Sequence, residues 1–301
     1  MQAAVTQIKK KKSLKHRGQT LFLVGMLTIP IVHWVVFWLY VNANSIMLAF
    51  QLPTGDWSLH TLQSALREFS TDGSLFLALG NTLKYFFTSV LITMPCSFVL
   101  SYLFYKKILM YKVFRVILYM PAIISGVVIT SAFSFVIAPD GPVGIILSKL
   151  GVDPVPEFLA NSDYATGTIL FYTVWTGIGT GTLLFQGGMA RIPLEVLEAA
   201  KLDGCGPGRE LVSLIIPLLW PTISTQLILQ LTGLFGSSGP ILLFTQGAYE
   251  TTTLAYWIFD SIYTYGNYNA VSAAGLCCTV VGVPIILGIR WLIERIPAVE
   301  Y

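Results

Sequence analysis

Six stretches of this chain are long and apolar enough to cross a bilayer: residues 20–43, 82–104, 113–137, 164–186, 218–241 and 270–292. A spanning helix needs roughly 17–25 mostly apolar residues. Hydrocarbon offers nothing to pair with an exposed N–H or C=O, so only helices and closed barrels can span it. None of the six runs alternates with period two, which excludes barrel strands. The expected fold is an all-α membrane protein with six transmembrane helices. Only 11% of the 301 residues are charged, against about 25% in soluble domains, and six spans leave no room for a soluble domain.

The connections follow from the same boundaries. Residues 1–19 form a basic tail, and 44–81 a loop punctuated by Pro53, Gly55, Asp56, Asp72 and Gly73, with a short helix expected near 59–69. Residues 138–163 and 242–269 form further loops, 187–217 a charged connection, and 293–301 a tail. Cations in short loops are retained on the cytoplasmic side. Fifteen of the eighteen fall on one side: Lys9, Lys10, Lys11, Lys12, Lys15 and Arg17; Lys106, Lys107, Lys112 and Arg115; Arg191, Lys201 and Arg209; Arg290 and Arg295. Arg67 and Lys149 lie opposite, and Lys84 can snorkel from the outer end of span two. Both termini are therefore expected in the cytoplasm, with 44–81, 138–163 and 242–269 outside. The basic tract beside span one reads as a topology anchor touching anionic lipid, not as a nucleic-acid site. The span itself reads as an uncleaved signal-anchor, because its apolar run exceeds the ~7–15 residues of a signal peptide.

Several chemistries are missing. Cys96, Cys277 and Cys278 fall within spans and Cys205 on the cytoplasmic side, so no extracellular disulfide is expected. His16, His33 and His60 are scattered, and no metal site is expected. The chain has no phosphate loop of the G-x-x-x-x-G-K-[ST] type and no H-E-x-x-H. Gly236-Ser237-Ser238-Gly239 misses the G-x-S-x-G spacing of an exposed nucleophile. The spans also lack the buried carboxylates of an ion-coupled carrier. No catalytic residue is expected, and energy must come from elsewhere.

The connection between spans four and five is unusual for so apolar a chain. It holds Glu195, Glu198, Asp203 and Glu210 with Arg191, Lys201 and Arg209, read here as a water-facing element. Two short helices fit it. Pro193 suits a helix start, and Leu194, Leu197, Ala200 and Lys201 keep helical spacing. Gly204 can take the left-handed turn that ends a helix, and Pro207 opens a second. Ala199 and Ala200 allow a partner surface to approach the backbone, while Glu198 and Asp203 suit basic groups on that partner.

Glu198-Ala199-Ala200, three residues, Gly204, nine residues, then Leu214-Ile215-Ile216-Pro217 resembles the E-A-A, G, I-x-L-P signature of permease subunits of binding-protein-dependent ABC importers. Leu214 and Ile216 stand where isoleucine and leucine are usual. Asn81-Thr82, Arg115 with Pro121, the run 186–193 and Glu250-Thr251-Thr252-Thr253-Leu254 through Gly266 look like the sugar class of these permeases, the maltose and glycerol-phosphate type. The resemblance spans 81–290. It implies that Glu198, Ala199, Ala200, Asp203, Gly204 and Pro217 belong to a coupling-helix region that sits in a cleft of a cytoplasmic ATPase. It also implies a pore of two permeases, here expected to be a homologous heterodimer, two cytoplasmic ABC ATPase subunits that hold the ATP and Mg, and an extracellular solute-binding protein. This chain would carry no cofactor of its own.

A solute pathway is less legible. Thr222, Gln226, Gln230, Gly233 and Ser237 recur at spacings of three and four, which puts them on one face of span five. Glutamines facing lipid would be unsatisfied, so this face meets protein or a water-filled cavity. Hydroxyl-binding amides and interhelical hydrogen bonds, about 0.6 kcal/mol each on average, account for it equally well. In span four, Trp175 and Thr176 are candidates beside Gly177-x-x-x-Gly181, which reads as a close-packing face. The resemblance implies a carbohydrate solute, and the absence of cations away from the span ends favours a neutral oligosaccharide over a strongly anionic one. A secondary carrier, or a membrane anchor or sensor without flux, remains the alternative.

Overall fold

The structure is a computed structural model that describes residues 2–70, 73–236 and 240–296, with side chains from residue 18 onward apart from Leu194. Every element among the described residues is helical except one isolated bridge between Gln51 and Trp57. Five helices are long and apolar enough to cross a membrane, or six if one bent pair is counted as a span. The chain divides into two compact units, one of residues up to Gln63 with Tyr268–Leu276, the other of Ser64–Asn267 with the residues from Cys277 on.

The first unit is dominated by α1, Gly18–Ala49, the apolar part of a helix that begins at Gln2. From Leu21 to Met47 its apolar side chains are exposed. Each would cost roughly 1.5–3 kcal/mol to leave in water, so this surface is stable only in hydrocarbon. Its polar side chains are absorbed locally: the Thr28 hydroxyl donates to the Val24 carbonyl at 2.7 Å. The helix runs six residues beyond the expected end at 43 and stops at a turn. There Asn269 donates to the Leu48 and Gln51 carbonyls at 3.2 and 3.0 Å.

In the second unit, α2 (His60–Ser70) is the short helix expected near 59–69. α3 (Ser74–Tyr105) begins two turns before the expected 82. It packs along α7 (Ser162–Met189). The Ser97 hydroxyl donates to the Ile178 carbonyl at 3.1 Å and Ser101 to that of Thr182 at 2.8 Å. Gly181 makes this approach possible, since a Cβ there would fall 2.5 Å from the Ser97 hydroxyl oxygen, and one at Gly177 would lie 3.1 Å from the Thr93 methyl. The other side of α7 receives α4, Tyr111–Ile123, where a Cβ on Gly179 would overlap the Leu118 carbonyl.

Two expected spans are broken. Residues 113–137 form α4 and α5 (Gly126–Ile137), separated where Ile124 and Ser125 turn extended with ψ of 144° and 134°. Pro121 has already removed one hydrogen bond of the preceding turn, and Gly126 is a weak continuation. With α6, Pro142–Lys149, α5 forms the apolar stretch Gly126–Lys149, long enough to cross. Residues 218–241 are likewise not one helix. α9 (Pro207–Leu218) meets α10 (Trp220–Thr232) at a 69° bend, placed by Pro217 and Pro221, since a proline ring collides with the carbonyl four residues before it. α10 stops at Gly233, and the chain re-forms as α11, Ile241–Phe244.

The expected loop 242–269 is largely built. α12, Leu254–Tyr263, starts at Thr253, whose hydroxyl accepts from the Tyr256 N–H. The last helix, α13 (Tyr268–Glu294), starts two residues before the expected 270.

Candidate functional site

The charged connection forms α8, Leu194–Leu202, with Pro193 just before its first residue. Gly204 has φ +73°. Its N–H donates to the Lys201 carbonyl at 3.1 Å and that of Cys205 to Ala200 at 3.0 Å, the paired bonds of a Schellman C-cap, which a residue with a Cβ would strain. Leu197 is 3% exposed and Ile192 5%, and both enter a cluster with Met94, Phe98, Phe185 and Met189. One face of α8 is thereby fixed to the ends of α3 and α7. The opposite face carries Glu195, Glu198, Ala199 and Leu202, all exposed, at spacings of three and four. Leu202 is 89% exposed. Asp203 and Gly204 are exposed beside it, Ala200 is half-buried, and Pro217 is half-buried in α9.

Glu210 corrects the reading of this segment as wholly water-facing. It is 2% exposed, and the Lys106 ammonium at the end of α3 donates to its Oε2 at 2.7 Å while also lying within ion-pair distance of Oε1. One turn earlier on α3 the Tyr102 hydroxyl donates to the Pro207 carbonyl at 3.2 Å. α9 is thus held to α3 by a buried charge pair and a hydrogen bond, neither visible in local sequence. Leu202 and Lys106 are the two residues here that motif reading missed; a large apolar residue one turn after Glu198 was the available signal for the first.

At the far end of α3, Asn81 is 1% exposed and its amide donates to the carbonyls of Glu250 and Thr252 at 2.6 and 2.9 Å. Thr82 accepts the Leu254 N–H at 3.0 Å. The segment so gripped contains left-handed residues at Gln246, Gly247, Tyr249 and Glu250. Its carbonyls have no helical partners, and the Asn81 amide supplies them. Asn81-Thr82 and the 250–254 run, 170 residues apart in sequence, are therefore one structural feature.

The pathway candidates are distributed. Gln230 lines a cavity of about 180 Å³ with Tyr85, Phe86, Ser89, Gly233 and Leu234. The Gln230 Oε1 and the Tyr85 hydroxyl are both buried without a hydrogen-bond partner. Gln226 is half-buried one turn before, and Thr222 packs on Gly188 of α7, where a Cβ would come within 2.9 Å of its hydroxyl. Trp175 belongs elsewhere, in an aromatic cluster with Phe133 and Tyr172 at centroid distances of 6.1 and 6.0 Å. The Thr176 hydroxyl is satisfied by the Tyr172 carbonyl at 3.0 Å. Ser237 lies outside the described residues. Tyr85 and Ser89 were not legible as partners of Gln230, because single polar residues in span two carry no pattern.

The sequence pattern described as "Binding-protein-dependent transport system inner membrane component" matches residues 80–297. Protein LplB of Bacillus subtilis is 25% identical over 285 residues, covering 90% of this chain and 88% of that protein. The polygalacturonan/rhamnogalacturonan transport system permease protein YteP of the same organism is 25% identical over 296 residues, covering 93% and 89%. The lactose transport system permease protein LacF of Rhizobium radiobacter is 26% identical over 245 residues, covering 76% and 79%. A crystal structure of a bacterial ABC transporter involved in import of the acidic polysaccharide alginate superposes with a TM-score of 0.81 at 22% identity, over 94% of this chain and 99% of that one; this likeness shows the fold. With the pattern covering most of the chain, this multi-pass membrane protein belongs to the family of inner membrane components of binding-protein-dependent transport systems.

Proposed function

We propose that this chain is one of two permease subunits of an ATP-driven carbohydrate importer, forming half of the translocation path and working by alternating access. The observation that carries the coupling role is α8. Its inner face is locked into the core through Leu197, and its outer face of Glu198, Ala199, Leu202 and Asp203 is bare, so force applied there passes to α3 and α7. A cytoplasmic ATPase that holds ATP and Mg would grip that face, which places both termini in the cytoplasm. The second permease is a homologous chain, and a solute-binding protein delivers from outside, as in the solved alginate transporter with its pentasaccharide-bound periplasmic protein.

The carbohydrate class follows the relatives, whose names include multiple sugars, arabinooligosaccharides and lactose. Within that class, the uncharged amides of Gln226 and Gln230 suit a neutral oligosaccharide. The test is purification of the tagged chain from its native membrane, followed by assay for co-purifying, solute-stimulated ATP hydrolysis. The intact chain should retain it, and Leu202→Asp should lose it with membrane insertion unchanged. Gradient-driven uptake by the purified chain alone would overturn the proposal in favour of a secondary carrier.

A further inference from the structure

The link between α3 and α4 combines charge with exposed apolar surface. Lys107 and Met110 are left-handed, with φ of 54° and 58°, which turns the chain sharply and leaves Leu109 87% exposed. Lys107 and Lys112 are exposed as well, and the outer face of α4 continues with exposed Val113, Phe114, Val116 and Ile117. About 6 Å along α4, at a rise of 1.5 Å per residue, the Arg115 guanidinium lies over the rings of Phe104 and Tyr111, 6.0 and 5.7 Å from their centroids. No carboxylate pairs with it among the described residues, and its Nε is buried without a partner. The Tyr119 hydroxyl, one turn deeper, and the Gln186 amide nitrogen on α7 are also buried and unpartnered. Tyr119 lies within electrostatic reach of Arg115, and the Gln186 side chain is close enough to hydrogen-bond to its hydroxyl.

The Tyr119 hydroxyl can itself accept from the Gln186 amide, which leaves the Arg115 Nε–H as a buried donor without an acceptor and its charge without a carboxylate, a cost that an anion's oxygens would relieve. The apolar rim narrows the choice. A soluble anion would have no use for Leu109, Met110 and the outer face of α4, whereas a phosphodiester attached to acyl chains satisfies the guanidinium and the rim together. We propose that Arg115, flanked by Lys107 and Lys112, binds the headgroup phosphate of an anionic phospholipid of the cytoplasmic leaflet. The proposal rests on the reading that puts the start of α4 on that side.

The test uses the full chain purified in an uncharged detergent. Its thermal midpoint is followed by tryptophan fluorescence as phosphatidylglycerol, phosphatidylcholine or inorganic phosphate is added, and retained lipid is counted by native mass spectrometry. Phosphatidylglycerol should raise the midpoint saturably and the other two should not. Arg115→Gln should weaken the response about tenfold to a hundredfold, the range of a charge-assisted hydrogen bond, with Arg115→Lys in between. If Arg115→Gln does not fold, Lys107→Gln with Lys112→Gln, both exposed, should weaken it several-fold. An equal response to phosphatidylcholine, a full response to phosphate alone, or an undiminished response in these variants would overturn the proposal. So would an absent response in the lone chain together with loss of the two-permease complex on Arg115→Gln, which would assign the guanidinium to a partner's carboxylate. Neither nucleotide nor solute enters this assay, so its failure leaves the importer reading standing.

Discussion

Replacing Lys106 with methionine isolates the contribution of the buried pair that fastens α9 to α3. Glu210 is 3% exposed in its side chain and Lys106 28%, so removal of the lysine strands a carboxylate with no route to water. Breaking a buried pair from this side costs about 3–5 kcal/mol. Glu210→Gln should cost less, about 1–3 kcal/mol, because the surviving ammonium can still reach solvent and the amide can keep one hydrogen bond. The double variant Lys106→Met with Glu210→Gln removes both desolvated charges and should recover most of the Lys106→Met loss, giving a coupling of about 2 kcal/mol or more between the sites. Unfolding of the four chains in mixed micelles by titration with dodecyl sulfate, followed by tryptophan fluorescence, measures all of these. A Lys106→Met cost below about 1 kcal/mol, or single-variant losses that simply add, would show that the pair is solvated and that α9 is held by packing alone. In the assembled importer Lys106→Met should also lower solute-stimulated ATP hydrolysis more than it lowers ATPase binding, because α8 stays in place while its connection to α10 slackens.

Gly204→Ala forces a Cβ onto a residue at φ +73° and should cost about 1–2 kcal/mol; stimulated ATPase rates should fall in Gly204→Ala, Gly204→Pro and Glu198→Ala with insertion intact, and normal uptake by all three would count against the coupling role of α8. Asn81→Leu strands the carbonyls of Glu250 and Thr252 at about 1–3 kcal/mol each, and should make the 245–253 segment sensitive to protease added from outside; unchanged protection would return Asn81 to simple helix packing. Gln226→Leu and Gln230→Leu should alter the solute dependence of transport without releasing the ATPase, and Tyr85→Phe should mimic Gln230→Leu if the two share a ligand; identical kinetics in all three would assign these side chains to helix packing.

Hydrocarbon makes the six apolar segments legible, because its thickness sets their length and its lack of hydrogen-bonding partners excludes charge. The charged connection was legible for a different reason: Pro193 and Gly204 impose backbone geometry locally, and α8 begins and ends where they require. What sequence hid depends on groups far apart along the chain. Glu210 read as a solvated acid because Lys106 lies 104 residues away. The breaks at Ile124 and Leu219 lie near prolines, but periodicity measures apolar content and not helix continuity, so each broken segment passed as one span. The contact at the far end of α3 was marked twice, at Asn81 and at 250–254, and nothing in either segment states that one exists to satisfy the other.

Polar satisfaction connects these cases. Each buried polar group in a protein with few charges must find a partner, and the partner specifies the tertiary contact: Asn81 for an irregular loop, Glu210 for Lys106, Ser97 and Ser101 for the carbonyls of α7. Groups left without one are then the places where the isolated chain is incomplete. The unpartnered atoms of Gln230 and Tyr85 face a cavity, and the Arg115 Nε sits behind an apolar rim. The first set is uncharged and opens on a cavity, which suits the neutral oligosaccharide proposed above. The second carries the fixed charge of Arg115, which suits the phosphate proposed for it. If both proposals hold, this difference in charge would keep the two ligands from exchanging places.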